Sequence, residues 1–97
     1  MTVVSVLRLP VRPGREAELV RAFDDLEIFE RSRESGGFLR GRLFQSVGRG
    51  PLLVLAEWES ARDYQGWLDN PVREELRGRV EPLLAGDVEA GELFEEC

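Results

Sequence analysis

Residues 57–84 read Glu57-Trp58-Glu59-Ser60-Ala61-Arg62-Asp63-Tyr64-Gln65-Gly66-Trp67-Leu68-Asp69-Asn70-Pro71-Val72-Arg73-Glu74-Glu75-Leu76-Arg77-Gly78-Arg79-Val80-Glu81-Pro82-Leu83-Leu84. Both tryptophans and the only tyrosine of the chain fall here. The spacing predicts the end of a strand, a short helix, a kink and a second helix running to Leu84. Ser60 can cap the first helix, and Asp63 three residues on completes a capping-box pattern. Asn70 can cap the second, with Pro71 at its first position, where a missing N–H costs nothing. Glu74 and Glu75 sit near that helix's positive end. Tyr64, Trp67 and Leu68 share one helical face, as do Val72, Leu76, Val80 and Leu83. A pocket in this protein is expected under the helix pair, with Trp67 on its wall.

Working outward, Leu52–Glu59 precedes the pair as a strand that is apolar on both faces through Leu52-Leu53-Val54-Leu55-Ala56. Such a strand belongs at the centre of a sheet or has both faces covered. Gly48-Arg49-Gly50-Pro51 is a tight hairpin loop before it. Phe38–Val47 is the preceding strand, with Leu39, Gly41, Leu43 and Gln45 on one face and Phe38, Arg40, Arg42 and Phe44 on the other. Ser35-Gly36-Gly37 stops a helix over 15–33, whose buried stripe runs through Leu19, Ala22, Phe23, Leu26 and Phe29 or Glu30. Residues 2–10 form the first strand, with Val3, Ser5, Leu7 and Leu9 on one face and Val4, Val6 and Arg8 on the other. Beyond the helix pair, Ala85-Gly86 breaks the chain. Residues 87–95 then alternate as a last strand, with Val88, Ala90 and Phe94 together.

The order β-α-β-β-α-α-β is a split βαβ, or ferredoxin-like, α+β arrangement: a four-stranded antiparallel sheet with helices on one face. Residues 1–97 read as one domain. The second sheet face also carries apolar residues, and a second copy of the chain is its simplest cover.

Composition narrows the function classes. A hydrophobic share of 42% and a charged share of 33% describe a folded chain. The net charge is -6, and all 13 basic residues are arginines scattered among acids. No basic face is written for nucleic acid. No apolar run approaches the roughly 20 residues of a membrane span, and no signal peptide is visible. The lone cysteine, Cys97, makes no internal disulfide, which suits the cytoplasm. With no histidine and no cysteine pair, the chain is poorly equipped for a zinc site, and no Ser-His or Cys-His nucleophile can be built.

Glu57-Trp58-Glu59-Ser60, then Tyr64, then Trp67-Leu68-Asp69-Asn70 and a following helix resembles the antibiotic biosynthesis monooxygenase family. The resemblance extends to the strand start at Gly37-Phe38 and to the order of elements. It implies a dimeric α+β barrel in which two sheets pack face to face, with each pocket between a sheet and its own helices. It also implies that Trp67 lines that pocket. The family holds quinone-forming monooxygenases, heme-degrading oxygenases, isomerases and members without known activity. Heme-degrading members carry a histidine where this chain has Arg77 and an asparagine where it has Leu7. Heme is therefore not expected, and neither is flavin or metal.

What remains for chemistry is carboxylates, arginines, Tyr64, Asn70 and the indoles. That set suits a reaction in which the substrate does most of the work: a phenolic, anthrone-like molecule ionises and passes an electron to O2, while the protein holds the ring and excludes water. Trp67 is the candidate catalytic residue; Tyr64, Asn70, Leu7, Arg40, Arg42 and Arg77 are candidate substrate contacts. Each has a structural alternative: core packing for Trp67 and Tyr64, helix capping for Asn70, and solvated or ion-paired charge for the arginines. Trp58 reads as packing at a strand end. The expected function is a cofactor-independent monooxygenase of an aromatic polyketide-like small molecule. The alternatives are a non-catalytic small-molecule-binding or structural dimer, and an isomerase or cyclase on the same scaffold.

Overall fold

Alternating residues of a strand face opposite ways, and the β-branched, apolar segments of this chain use that rule to build one sheet with a dry face. The computed structural model describes residues 1–97. Strands β1 (Val3–Leu9), β2 (Phe38–Phe44), β3 (Leu52–Trp58) and β4 (Glu92–Glu95) form an antiparallel sheet of order β2-β3-β1-β4. Helices α1 (Glu16–Asp25) and α2 (Ile28–Glu34) connect β1 to β2; α3 (Ala61–Leu68) and α4 (Pro71–Val80) connect β3 to β4. The fold is α+β and ferredoxin-like, as the order of segments predicts, and β3 is internal, as its two apolar faces require.

The register sets the dry face. Val3 pairs with Trp58, Ser5 with Ala56, Leu7 with Val54 and Leu9 with Leu52. These residues point to the helices, and Val3, Ser5, Leu9, Leu52, Val54, Ala56 and Trp58 are buried. The helices close over them with Leu19 and Phe23 of α1, Tyr64 and Trp67 of α3, and Leu76 and Val80 of α4. Trp58 is 2% exposed, and its indole N–H donates to Ser5 Oγ at 3.1 Å. Burying the indole without that acceptor would cost about 1–3 kcal/mol.

Four expectations are corrected. The helix over 15–33 is two helices, because Glu27 adopts a left-handed conformation (φ 52°) between them. Six residues apart, Phe23 and Phe29 would fall far apart around a single helix. The break lets both face the sheet, with their ring centroids 5.7 Å apart. In β2 the register shifts between Phe38 and Arg40, leaving Leu39 as an extra, exposed residue. Phe38 thereby joins Gly41 and Leu43 on the helix side, while Arg40, Arg42 and Phe44 keep the other. α4 ends at Val80 and tightens into a 3₁₀ turn over Glu81–Leu83, because Pro82 has no N–H to continue the ladder. The last strand spans only Glu92–Glu95. Residues 87–91 cross the helix side instead, so Val88 packs on the core while Phe94, opposite Val4, faces the other way.

The start of β2 is tied to the start of α3. Gly37 has φ 74°, its carbonyl accepts from Glu59 N–H at 2.8 Å, and a Cβ on it would fall on the Asp63 side chain. Asp63 is the residue whose N–H and carboxylate engage the Ser60 cap. Gly37→Ala should therefore lose backbone freedom and disturb the cap together, lowering unfolding free energy by about 2 kcal/mol. Gly14→Ala, at φ 83° with open space around it, should lose about 1 kcal/mol from the backbone alone. Urea denaturation of both variants checks this; equal losses would contradict it.

Candidate functional site

Between the sheet and the helices lies a cavity of about 430 Å³. β1 and β3 supply its floor through Ser5, Leu7, Leu9, Val54, Ala56 and Trp58. α1 and α2 contribute Phe23, Ile28, Phe29 and Ser32; α3 contributes Tyr64, Trp67 and Leu68; α4 contributes Arg73, Leu76, Arg77 and Val80. Residues 88–91, the segment expected as strand, form the remaining wall. The volume and the apolar lining suit a small molecule.

The short helices over the cavity are held at defined places. Ser60 Oγ accepts from Asp63 N–H at 3.2 Å and donates to the Asp63 carboxylate at 2.8 Å. The expected capping box is thus modified: the Asp63 carboxylate takes the Ser60 hydroxyl rather than reaching the backbone. Asn70 Oδ1 accepts from Val72 N–H at 3.0 Å and starts α4 one residue before Pro71. Trp67 sits between these two caps, 8% exposed.

Most polar groups of the lining are already satisfied. Ser5 Oγ accepts from Trp58, and Ser32 Oγ donates to the Ile28 carbonyl at 2.8 Å. Trp67 and Tyr64 both line the cavity, and neither side chain makes a hydrogen bond within the chain. Burial pushes the Tyr64 phenol above its usual value, and the Arg73 guanidinium pulls it partly back. At neutral pH the hydroxyl is therefore protonated and serves as a donor. Gly91 passes so close that a Cβ there would meet the Tyr64 oxygen. A side chain at that position would push the wall off the ring.

The structure brings together four of the residues singled out from the sequence: Trp67, Tyr64, Leu7 and Arg77 all line the cavity. It sets three apart. Asn70 is engaged as the cap of α4. Arg40 pairs with Glu57, and Arg42 lies over the Phe44 ring, 4.8 Å from its centroid. Both arginines are on the sheet face away from the cavity. Sequence reasoning passed over Ser5, Arg73 and Glu89. Ser5 carried a signal as a polar residue within the stripe Val3-Ser5-Leu7-Leu9. Arg73 carried a weaker one, three and seven residues before Leu76 and Val80 on one helical face. Glu89 carried none.

A sheet of this topology with a largely apolar cavity under paired helices defines an α+β domain of the ferredoxin-like kind. The family model for antibiotic biosynthesis monooxygenase matches residues 2–85, and the chain belongs to that family. Solved structures share the fold. SnoaB, a cofactor-independent oxygenase from Streptomyces nogalater, superposes with a TM-score of 0.78 at 22% identity, over 99% of this chain and 93% of that one. Rv0793 from Mycobacterium tuberculosis gives 0.76 at 21% identity, over 100% and 96%. A conserved protein from Methanosarcina mazei gives 0.80 at 15% identity, over 100% and 94%. No protein of curated function matches the sequence significantly. No helix is long and apolar enough to cross a membrane.

Tyr64 is the only tyrosine, so phenolate absorbance reports it alone. In the folded protein its midpoint should lie above the ordinary value near 10 and return to that value in denaturant. Because the unfolded chain ionises first, the tyrosine contribution to stability is complete below that value and falls as pH rises through the folded one. Tyr64→Phe should remove this part of the alkaline loss, as read from denaturation midpoints. A folded-state titration at the ordinary tyrosine value would contradict the burial argument.

Proposed function

We propose that the protein is a cofactor-independent monooxygenase that oxidises a phenolic, anthrone-like aromatic molecule with O2 in this cavity. The carrying observation is Trp67, an indole with no hydrogen-bond partner in the chain, on the wall of a largely apolar space of about 430 Å³. In this reading the substrate lies between the floor of β1 and β3 and the ring of Trp67. Its reactive methylene gives up a proton, for which Glu89 at the exposed rim is the one carboxylate that lines the cavity. The resulting enolate passes an electron to O2, and recombination makes a carbon–oxygen bond. Loss of water from the hydroperoxide leaves a carbonyl, so one oxygen atom enters the product and the other departs as water. Trp67 N–H stabilises negative charge on the ring oxygen, and the neutral Tyr64 hydroxyl is a second donor. The family supports this reading, as do the similarity to SnoaB, a cofactor-independent oxygenase, and a chain with no histidine to ligate a heme or act as base.

Trp67→Phe keeps most of the packing and removes the donor. Oxygen uptake with an anthrone should fall about ten- to a hundredfold, on the order of 1.4–2.7 kcal/mol of barrier, with the melting temperature nearly unchanged. Full turnover in a destabilised variant would return Trp67 to core packing. Oxygen-independent product formation would favour the isomerase or cyclase, and binding without turnover a carrier.

The same reading includes a cytoplasmic homodimer joined through the sheets. Val4, Val6, Leu53 and Leu55 are only half-buried on the face away from the helices, flanked by Phe44 and Phe94 at 38% and 49% exposure. Only 16 of 97 residues are buried within one chain, so a second copy on this face would add substantially to a small core. Sedimentation should give a dimer at micromolar concentration, and Leu55→Arg should shift it toward monomer. A monomeric wild-type protein would overturn this.

A further inference from the structure

Three charged side chains line the cavity: Arg73, Arg77 and Glu89. Arg77 and Glu89 are exposed, and Arg77 has Glu74 at 3.7 Å. Arg73 is different. It is half-buried, and the ion pairs of the chain, Arg8–Glu92, Arg15–Glu18, Arg40–Glu57 and Arg77–Glu74, leave it out. It donates no hydrogen bond to a protein group, whereas Arg12 donates to the Leu84 carbonyl at 2.8 Å. Arg73 lines the cavity with Tyr64, and its charge partly offsets the upward push of burial on that phenol.

An arginine beside apolar walls has lost part of its hydration without gaining a counterion. An anionic ligand relieves that cost, and a neutral one does not. The planar fork of a guanidinium matches a carboxylate, which it can hold through two parallel hydrogen bonds. Arg77 follows one helical turn later on the cavity-facing side of α4 and adds a second, more solvated cation. We propose that Arg73, supported by Arg77, is a specificity-determining residue that selects ligands carrying a carboxylate at the edge of a flat apolar ring system. This rests on reading the cavity as the substrate site. It does not depend on the oxidation.

The test is calorimetric titration of an anthracenecarboxylate and the matching carboxamide, neither of which needs to turn over. The wild-type protein should bind the carboxylate about tenfold more tightly than the carboxamide, and added salt should weaken only the carboxylate. Arg73→Gln should lose that preference while holding the carboxamide within about twofold of wild type. Arg73→Lys should retain part of it, which separates charge recognition from a general loss of structure; melting curves of both variants check folding. Equal affinities in the wild type, a preference that survives Arg73→Gln, or binding of neither compound would overturn the proposal. A preference for the carboxylate in a protein that consumes no oxygen would overturn the monooxygenase reading and leave this one standing.

Discussion

The indole of Trp58 sits where four elements meet. Its N–H crosses from β3 to Ser5 on β1; Phe38 of β2 packs edge-on against it at 5.3 Å, and Tyr64 of α3 at 5.6 Å. Phe29 and Phe23 extend the contacts to α2 and α1. A chain of five rings thus joins α1, α2 and α3 to β2 and β3, and the indole N–H ties in β1. Edge-to-face aromatic pairs add about 0.5–1.5 kcal/mol each beyond the area they bury. Most of the rest of the core is aliphatic, so this line of rings is its most directional part. It requires Ser5, because an indole N–H buried at that depth needs an acceptor.

The cavity exists because this packing is one-sided. The rings and the Leu9, Leu19, Leu52 and Val80 group fill two clusters, and helices as short as α2 and α3 do not fill the space between them. Caps at Ser60 and Asn70 hold the short helices in position where their length alone would leave them frayed. The cavity is thereby bounded by well-anchored elements on the sheet, α3 and α4 sides. Its last wall, residues 88–91, is backbone without regular structure, resting against Tyr64 at Gly91.

Two kinds of polar group face that space. Trp67 and Tyr64 present donors attached to large apolar rings, which suit orientation of an aromatic ligand. Arg73 and Arg77 present charge at α4. The outer sheet face carries its own arginines, but Arg40 and Arg42 are occupied by Glu57 and Phe44 and act on a different surface. The separation matters for mechanism, since a charge on the far side of a sheet cannot touch a ligand beneath the helices.

The sequence alone determined the order of elements, the central place of β3, the two faces of β1, both caps around Trp67 and the absence of any histidine chemistry. Each follows from local rules: two-residue alternation, the hydrogen-bonding reach of Ser and Asn side chains, the fixed geometry of Pro71. The place of Trp67 and Tyr64 on the cavity wall was legible for the same reason, whereas Leu7 and Arg77 were singled out only through the family resemblance. Tertiary structure alone decided where regularity breaks. The left-handed turn at Glu27 forms because Phe23 and Phe29 gain burial together, a contact no helical periodicity anticipates. The bulge at Leu39 turns Phe38 inward and leaves Arg40 and Arg42 outward, since pairing with Trp58 outweighs simple alternation. Residues 87–91 look like a strand by pattern, yet pairing with β1 begins only at Glu92, opposite Val6, and the segment before it forms a cavity wall. Arg73 was one of 13 scattered arginines until packing set it beside Tyr64 without a counterion; charge becomes informative only when its neighbours are known.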